Sequence, residues 1–366
     1  MMWMRLLDIC DFQGGSQPPK EEWSFAEQEG YIRMLQIRDF TQSEKVTPEY
    51  IKISNCIKTC TEDDVLIARY GASIGKVLTG IAGAYNVAIM RTIPDTDIIR
   101  KRFLYYYLKS SYFQYAILNV GSRAAQAGFN KTDLAKLEIT CPELSKQDKI
   151  VKILEKVESI IQKRKDQLNA LDYIIKARFV EMFGDVKYGS ERWGGKPFKD
   201  ITINLDSKRK PVKDADRKRM QGIYPYYGAT GIVDYINDYR QDGDFLLISE
   251  DGKALELRSK PIAFLASGKI WVNNHAHVQQ CTDECNMIYL MYHINFMDIS
   301  IWVTGIDQKK LNRANLDTIP IALPPIELQE QFAAFVHQVD KSKVVVQKAL
   351  DEAQLLFDSL MQKYFG

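Results

Sequence analysis

The sequence predicts an α+β protein in which one unit is used twice: two similar globular domains joined by two long antiparallel coiled-coil helices, as a pseudo-two-fold internal repeat. Three observations predict it. The segment from Gln126 to Gly184 matches the segment from Gln308 to Gly366 at a constant offset of 182 residues. Each copy closes with apolar residues spaced by three and four, with neither Gly nor Pro among them. Ahead of each such run, short apolar stretches alternate with Gly-bearing turns and a helical segment.

Ordered matches carry the repeat. Gln126 aligns with Gln308, Asn130 with Asn312, Leu134 with Leu316 and Ile139 with Ile321. Pro142 aligns with Pro324, Gln147 with Gln329 and Val157 with Val339. Matches in this order at one offset mean a duplicated unit. Upstream the likeness is looser. LIARYGASIGKV from Leu66 and LLISEDGKAL from Leu246 both read as a strand, a polar turn and more β-rich sequence.

The long helices follow stop-and-start signals, Pro142 with Ser145 in the first copy and Pro324-Pro325 in the second. The expected apolar stripe of the first is Ile150, Ile153, Val157 and Ile160, then Leu171, Ile174 and Phe179. In the second it is Phe332, Phe335, Val339, Val346, Ala349, Ala353, Leu356 and Leu360. A helix of this length reaches about 57 Å, and its apolar stripe needs a cover. The economical solution pairs the two copies antiparallel, with a globular domain at each end. The expected segments are 1–144 and 185–326 for the globular domains, and 145–184 and 327–366 for the helices. Phe179, Met182, Phe357 and Met361 are expected to stay on the outer face for a partner's helices.

Composition sets limits. The 366 residues carry 49 basic and 47 acidic side chains, a formal charge of +2, so any basic surface is local. No stretch approaches the roughly 20 apolar residues of a membrane helix. Arg5, Asp8 and Asp11 interrupt the opening stretch, which does not read as a signal peptide, and a cytoplasmic protein is expected. Six cysteines are too sparse for a disulfide scaffold. Cys56 with Cys60, and Cys281 with Cys285 near His275 and His277, have loose zinc-like spacing, but reduced thiols are the plainer reading.

Catalytic motifs fail on inspection. GASIGK from Gly71 has three residues between its glycines where a P-loop needs four, and Val77 follows the lysine where a hydroxyl is needed. No dinucleotide-binding fingerprint occurs, nor does an Asn-Pro-Pro-Tyr-type methyltransferase motif. Glu250, Asp251 and Lys253 could form part of a nuclease cluster, but no upstream acid matches them and a turn explains them better.

One local charge pattern stands out. Lys208, Arg209, Lys210, Lys213, Arg217, Lys218 and Arg219 precede Tyr224, Tyr226, Tyr227 and the turn ending at Gly231. Basic groups beside Tyr and Thr suit contacts to phosphates and base edges; a solvated loop beside a Tyr-rich strand is the plainer alternative. The first copy offers a more scattered set.

These stretches resemble a known family. YIRMLQIRDF from Tyr31, DVLIARYGASIGK from Asp64, YPYYGATGIVDYI from Tyr224, LLISEDG from Leu246, VNNHAHV from Val272 and PPIELQEQ from Pro324 are similar to the DNA-specificity subunit of type I restriction–modification systems. The likeness covers essentially the whole chain. The first helix departs from it, opening with CPELSKQDKI, but keeps Pro142 and Gln147. The resemblance implies two target recognition domains, each reading half of a bipartite site in double-stranded DNA, with the helices as a spacer ruler. It implies two modification subunits that bind S-adenosylmethionine and methylate adenine N6, possible restriction subunits, and no cofactor or chemistry on this chain. On that reading Lys208, Arg209, Lys213, Tyr226, Tyr227, Thr230 and His275 are the DNA-contact candidates in the second domain. Arg33, Arg38, Arg69, Tyr70, Arg123 and Gln126 are those in the first. A stand-alone DNA-modifying enzyme and a coiled-coil interaction scaffold are the alternatives.

Overall fold

The computed structural model describes residues 2–42, 45–121, 128–187 and 192–366. The chain forms two compact units. One comprises Met1–Lys165 with Lys348–Gly366, and the other Asp166–Gln347. The long helices span Leu144–Phe183 and Ile326–Phe365, so each contributes one half to each unit. The first helix stops at Gly184, whose φ of +87° is a left-handed value that glycine adopts without strain.

In the first unit, Met2–Arg5 pairs antiparallel with Glu138–Cys141. A four-stranded antiparallel sheet has the order Cys10–Gly14, Ile89–Pro94, Leu66–Ala68, Val77–Leu78. A five-stranded mixed sheet places Tyr31–Leu35 parallel to Gly83–Tyr85. Gly15 is required where the chain leaves the four-stranded sheet, because a Cβ there would lie 2.1 Å from the Asn86 carbonyl oxygen.

The helix Lys101–Lys109 fixes the direction of the long helices in this unit. Arg100, Arg102 and Lys109 pair in turn with Asp148, Glu155 and Glu158. The same helix meets the second long helix in reverse order, with Phe103 on Phe365 at 4.9 Å and Tyr106 on Phe357 at 6.3 Å between ring centroids. The two long helices therefore run antiparallel.

The second unit holds a six-stranded mixed sheet, in the order Thr202–Asn204, Ala276–Cys281, Gln241–Ser249, Ala263–Val272, Gln221–Gly228, Gly231–Ile236. A short pair, Gly195–Pro197 with Pro320–Ala322, repeats the Met2–Arg5 pair of the first unit. The helix Met287–Phe296 packs Tyr289 against Phe179 and Phe183, and Tyr292 against Phe332. Lys343 pairs with Asp172 at 2.6 Å while Phe332 meets Phe179 and Phe183, so the helix halves are antiparallel here too.

The buried faces differ from the expected stripe. Leu154, Ile161, Ile175, Phe357 and Met361 are buried, whereas Ile153, Ile160, Ile174 and Leu356 are exposed. Ile150, Val157, Phe179, Phe332 and Val339 are buried as expected; at Ile153, Ile160, Ile174 and Leu356 the buried residue is the next one along, a turn of about 100° on the helix. The cause is a third surface: each long helix packs on its globular domain as well as on the other helix. Phe179, Phe357 and Met361 are consequently core residues, and Met182 packs against the second core. They do not form the outward face expected for a partner.

Candidate nucleic-acid interface

In the second unit, hydrogen bonds, an ion pair and β-bridges join five loops of the six-stranded sheet and its surroundings. The stretch 206–210 is tied down by Asp206, whose Oδ1 accepts from the Val278 N–H at 2.8 Å, and by the Lys210 N–H on the Val272 carbonyl at 3.1 Å. The turn at Ala229 accepts from the Ser249 hydroxyl. The Glu250 N–H donates to the His275 carbonyl at 2.9 Å, and Asn273 receives the His275 N–H at 2.8 Å. Finally, Lys310 forms a β-bridge with Asp251 on one side and Thr304 on the other.

A charge network holds these loops together. Arg209 reaches the Glu250 carboxylate, lies 3.3 Å from Asp206, and donates to the Ala276 carbonyl at 3.1 Å. Lys310 reaches Glu250 at 2.9 Å. His277 is buried between Asp206, 2.7 Å from its Nδ1, and the Leu311 carbonyl, 2.8 Å from its Nε2. Burial pushes the Asp206 and Glu250 carboxyls up. The opposing hydrogen bonds outweigh it, from His277 on Asp206 and from Arg209 and Lys310 on Glu250, and hold both below the usual carboxylate range. At the surface His275 pairs with Asp251 at 2.8 Å.

Several expected contacts are thereby reassigned. Arg209 is committed to buried carboxylates and is not a free phosphate ligand. Tyr226 is buried, its hydroxyl accepting from the Val212 N–H at 2.9 Å, so its side chain is not part of the surface. Tyr227 is buried and stacks on Phe264. Lys208, Lys213 and Thr230 are exposed, and His275 is half-exposed. Lys210, Lys218, Arg219 and Lys269 are exposed as well. Arg240, unmarked in the sequence, lies over the Trp271 ring at 5.4 Å and donates to the Lys208 carbonyl at 2.9 Å. The nuclease-like SEDGK stretch is a turn whose Glu250 is occupied by Arg209 and Lys310. Among the described residues no three His, Cys, Asp or Glu side chains are grouped to hold a metal ion.

The first unit shows the same framework with other side chains. Tyr70 bridges Gly128 where Asp251 bridges Lys310. Arg69 stands in the place of Glu250; its Nε donates to the Phe129 carbonyl at 2.8 Å and its guanidinium lies over the Tyr70 ring. Arg33 is half-buried on Asp39 at 2.8 Å, and Arg38 pairs with Glu49. Arg123 and Gln126 lie outside the described residues. Among the described candidates, Arg209 and His275 of the second domain both engage Glu250, through its carboxylate and its N–H, whereas Arg33, Arg38 and Arg69 engage separate partners. What the sequence did not reveal is the clamp formed by Asp206, Glu250, His277 and Lys310, because its members lie far apart in the chain.

Comparison with known proteins agrees with this architecture. The model of the type I restriction modification DNA specificity domain matches residues 1–170 and again 190–353. A putative type I restriction enzyme specificity subunit of Haemophilus influenzae is 38% identical over 144 residues, 39% of this chain and 36% of that protein, so the match spans about a third of the relative's length. The EcoprrI specificity subunit of Escherichia coli is 22% identical over 367 aligned positions, covering 92% of this chain and 87% of that one. The crystal structure of an S subunit from M. genitalium shares the fold with a TM-score of 0.56 at 16% identity, covering 100% of this chain and 96% of that one. A chain from a structure of type I restriction–modification complex assembly gives a TM-score of 0.58 at 14% identity, covering 100% and 97%. Among the described residues no helix is long and apolar enough to cross a membrane. With the specificity-domain model matched twice along its length, the chain belongs to the type I restriction–modification DNA specificity family.

Proposed function

We propose that this chain is the non-catalytic DNA-reading subunit of a type I restriction–modification complex. Each globular domain reads one half of a bipartite, asymmetric site, and the long helices set the unread distance and hold two modification subunits. Those subunits bind S-adenosylmethionine and methylate adenine N6 on a flipped base; restriction subunits join the same assembly. The chain needs no cofactor of its own and works in the cytoplasm, beside the DNA.

The observation that carries this reading is the way the duplication divides. The framework of each copy is alike, while the side chains on its equivalent loop are unlike: Arg69-Tyr70 in one and Glu250-Asp251 in the other. A repeated scaffold with different loops suits a target whose halves differ. Exposed Lys208, Lys210 and Lys213 supply phosphate contacts. Exposed apolar residues on the long helices suit protein partners: Ile153, Ile160, Leu355 and Leu356 in the first unit, Tyr173, Val344 and Val345 in the second.

Coexpression with the modification subunit and mapping of methylated adenines tests the reading. One two-part methylated sequence, absent when this chain is omitted, is the expected result. Methyl transfer or cleavage by this chain alone would favour the enzyme reading. Assembly with the modification subunit but without DNA discrimination would favour a scaffold.

A further inference from the structure

A single exposed aliphatic side chain is ordinary on a protein surface; the construction beneath Ile306 is not. Ile306 is 94% exposed, the most exposed of the large hydrophobic residues described. It stands on a five-residue loop, Gly305 to Lys309, closed by a reciprocal backbone pair. The Thr304 N–H donates to the Lys310 carbonyl at 2.9 Å, and the Lys310 N–H to the Thr304 carbonyl at 2.8 Å. Gly305 has a φ of +97°, and a Cβ on it would lie 2.1 Å from the Gln308 carbonyl oxygen, so the tight shape of the loop depends on glycine. The base of the loop is anchored by the Lys310 ammonium on Glu250 and by the bridge from Lys310 to Asp251.

The anchor is the same clamp that positions the loops at 206–210 and 273–275. The loop therefore presents Ile306 and the exposed Gln308 from the cluster that also carries Lys208 and His275. A long aliphatic group on a braced tip, with cations on the neighbouring loops, suits a DNA groove. The cations hold phosphates, and the aliphatic group meets a thymine methyl or wedges at a base step.

We infer that the Gly305–Lys309 loop is a base-contacting element of the second domain, with Ile306 as its apolar probe of the half-site. The inference rests on the DNA-reading role proposed above. It assigns sequence discrimination to a residue outside the basic stretch.

The test uses the assembled complex with its modification subunit and compares Ile306→Ala, Lys208→Ala and the native chain. Each is titrated with the cognate duplex, with duplexes altered at single base pairs of the second domain's half-site, and with unrelated DNA. Ile306→Ala should weaken cognate binding by roughly 10-fold and flatten discrimination at one or two adjacent base pairs. Its affinity for unrelated DNA and its salt slope should stay unchanged, and its thermal unfolding should match the native chain. Lys208→Ala should weaken all duplexes alike. Unaltered discrimination by Ile306→Ala would overturn the inference while leaving the DNA-reading role intact. Loss of modification-subunit binding with discrimination retained would also overturn it, assigning Ile306 to a protein contact. If the native complex itself does not discriminate, the role and the inference both fall.

Discussion

Gln147 and Gln329, 182 residues apart in sequence, make the same clasp in the two copies. Gln147 donates through Nε2 to the carbonyls of Ile98 and Pro142, both at 2.8 Å, and accepts the Arg100 N–H at 2.9 Å. Gln329 donates to the carbonyls of Glu284 and Pro324, at 3.1 and 2.8 Å, and accepts the Asn286 N–H at 2.8 Å. Both side chains are fully buried. Each joins the start of a long helix to the start of the domain helix packed on it. Removing the amide takes the side-chain partner from three backbone groups in each copy, of which the Ile98 carbonyl keeps the Cys141 thiol at 3.4 Å, so Gln147→Ala or Gln329→Ala should each cost about 2–3 kcal/mol in urea unfolding. Gln→Glu should be nearly as damaging, because a carboxylate accepts the one N–H but cannot serve the two carbonyls.

Arg209 is a clamp, and its loss should act through folding. Its side chain is 17% exposed, and Glu250 and Asp206 are 12% and 11% exposed. Arg209→Ala removes a shared cation from two largely buried carboxylates, leaving Glu250 to Lys310 and Asp206 to His277, and should destabilise the protein by about 2 kcal/mol. Adding Glu250→Gln should restore part of that loss. Lys208→Ala should leave stability unchanged and reduce the salt slope of DNA binding by about one. Unfolding and salt titrations on the same three variants separate the two roles.

His293 predicts a pH dependence. The ring is buried, its Nε2 accepting the Ala322 N–H at 3.2 Å, and burial pushes its pKa down from 6.5 to about 4. The unfolded chain takes up a proton near pH 6.5 and the native chain does not, so falling pH favours unfolding. Stability should be at its full value above about pH 7 and fall by about 3 kcal/mol as pH drops from 6.5 to 4. His293→Gln keeps an acceptor for Ala322 and removes the titration. The difference between native and variant stability curves should therefore slope across that window and be flat above it.

The architecture was legible because a repeat is a one-dimensional signal. Gln147, Gln329, Asn130 and Asn312 aligned as markers, and the structure shows two buried clasps and two helix N-caps. The helix register was legible only in part. Spacing by three and four describes a two-helix seam, but here the domain helices Lys101–Lys109 and Met287–Phe296 add a further packing direction. The site was least legible. An arginine bound for phosphate and one bound for a buried carboxylate look alike in sequence, and Arg209 meets Glu250 across 41 residues. Tyr226 is hidden for a similar reason: a Tyr-rich strand does not say which face is inward.

The displaced register has its own consequence. Ile160 is 38% exposed and Ile161 is 7% exposed, although they are adjacent. Ile161→Ala should cost about 2 kcal/mol or more. Ile160→Glu should leave unfolding within about 0.5 kcal/mol. On the proposed role the same Ile160→Glu substitution, combined with Leu356→Glu, should weaken binding of the modification subunit. Pull-down and unfolding measurements should rank the two positions in opposite orders.

The ruler role can be tested with a deletion that respects the antiparallel register. Asp172 lies opposite Lys343 in the second unit, and the paired deletion removes the heptads 162–168 and 347–353. Neither stretch contains a buried core residue. Removing both therefore takes one heptad from each helix at the cost of Leu350 and Ala353, partly buried at the margin of the first core, whereas removing 155–161 would delete the buried Val157 and Ile161 from it. Seven residues are about 10 Å of helix, about three base pairs at 3.4 Å each. The methylated sequence should keep both half-sites and lose about three base pairs from the gap between them. Removing 162–168 alone would leave the helices mismatched and should abolish methylation. An unchanged gap in the paired deletion would show that something other than these helices sets the spacing.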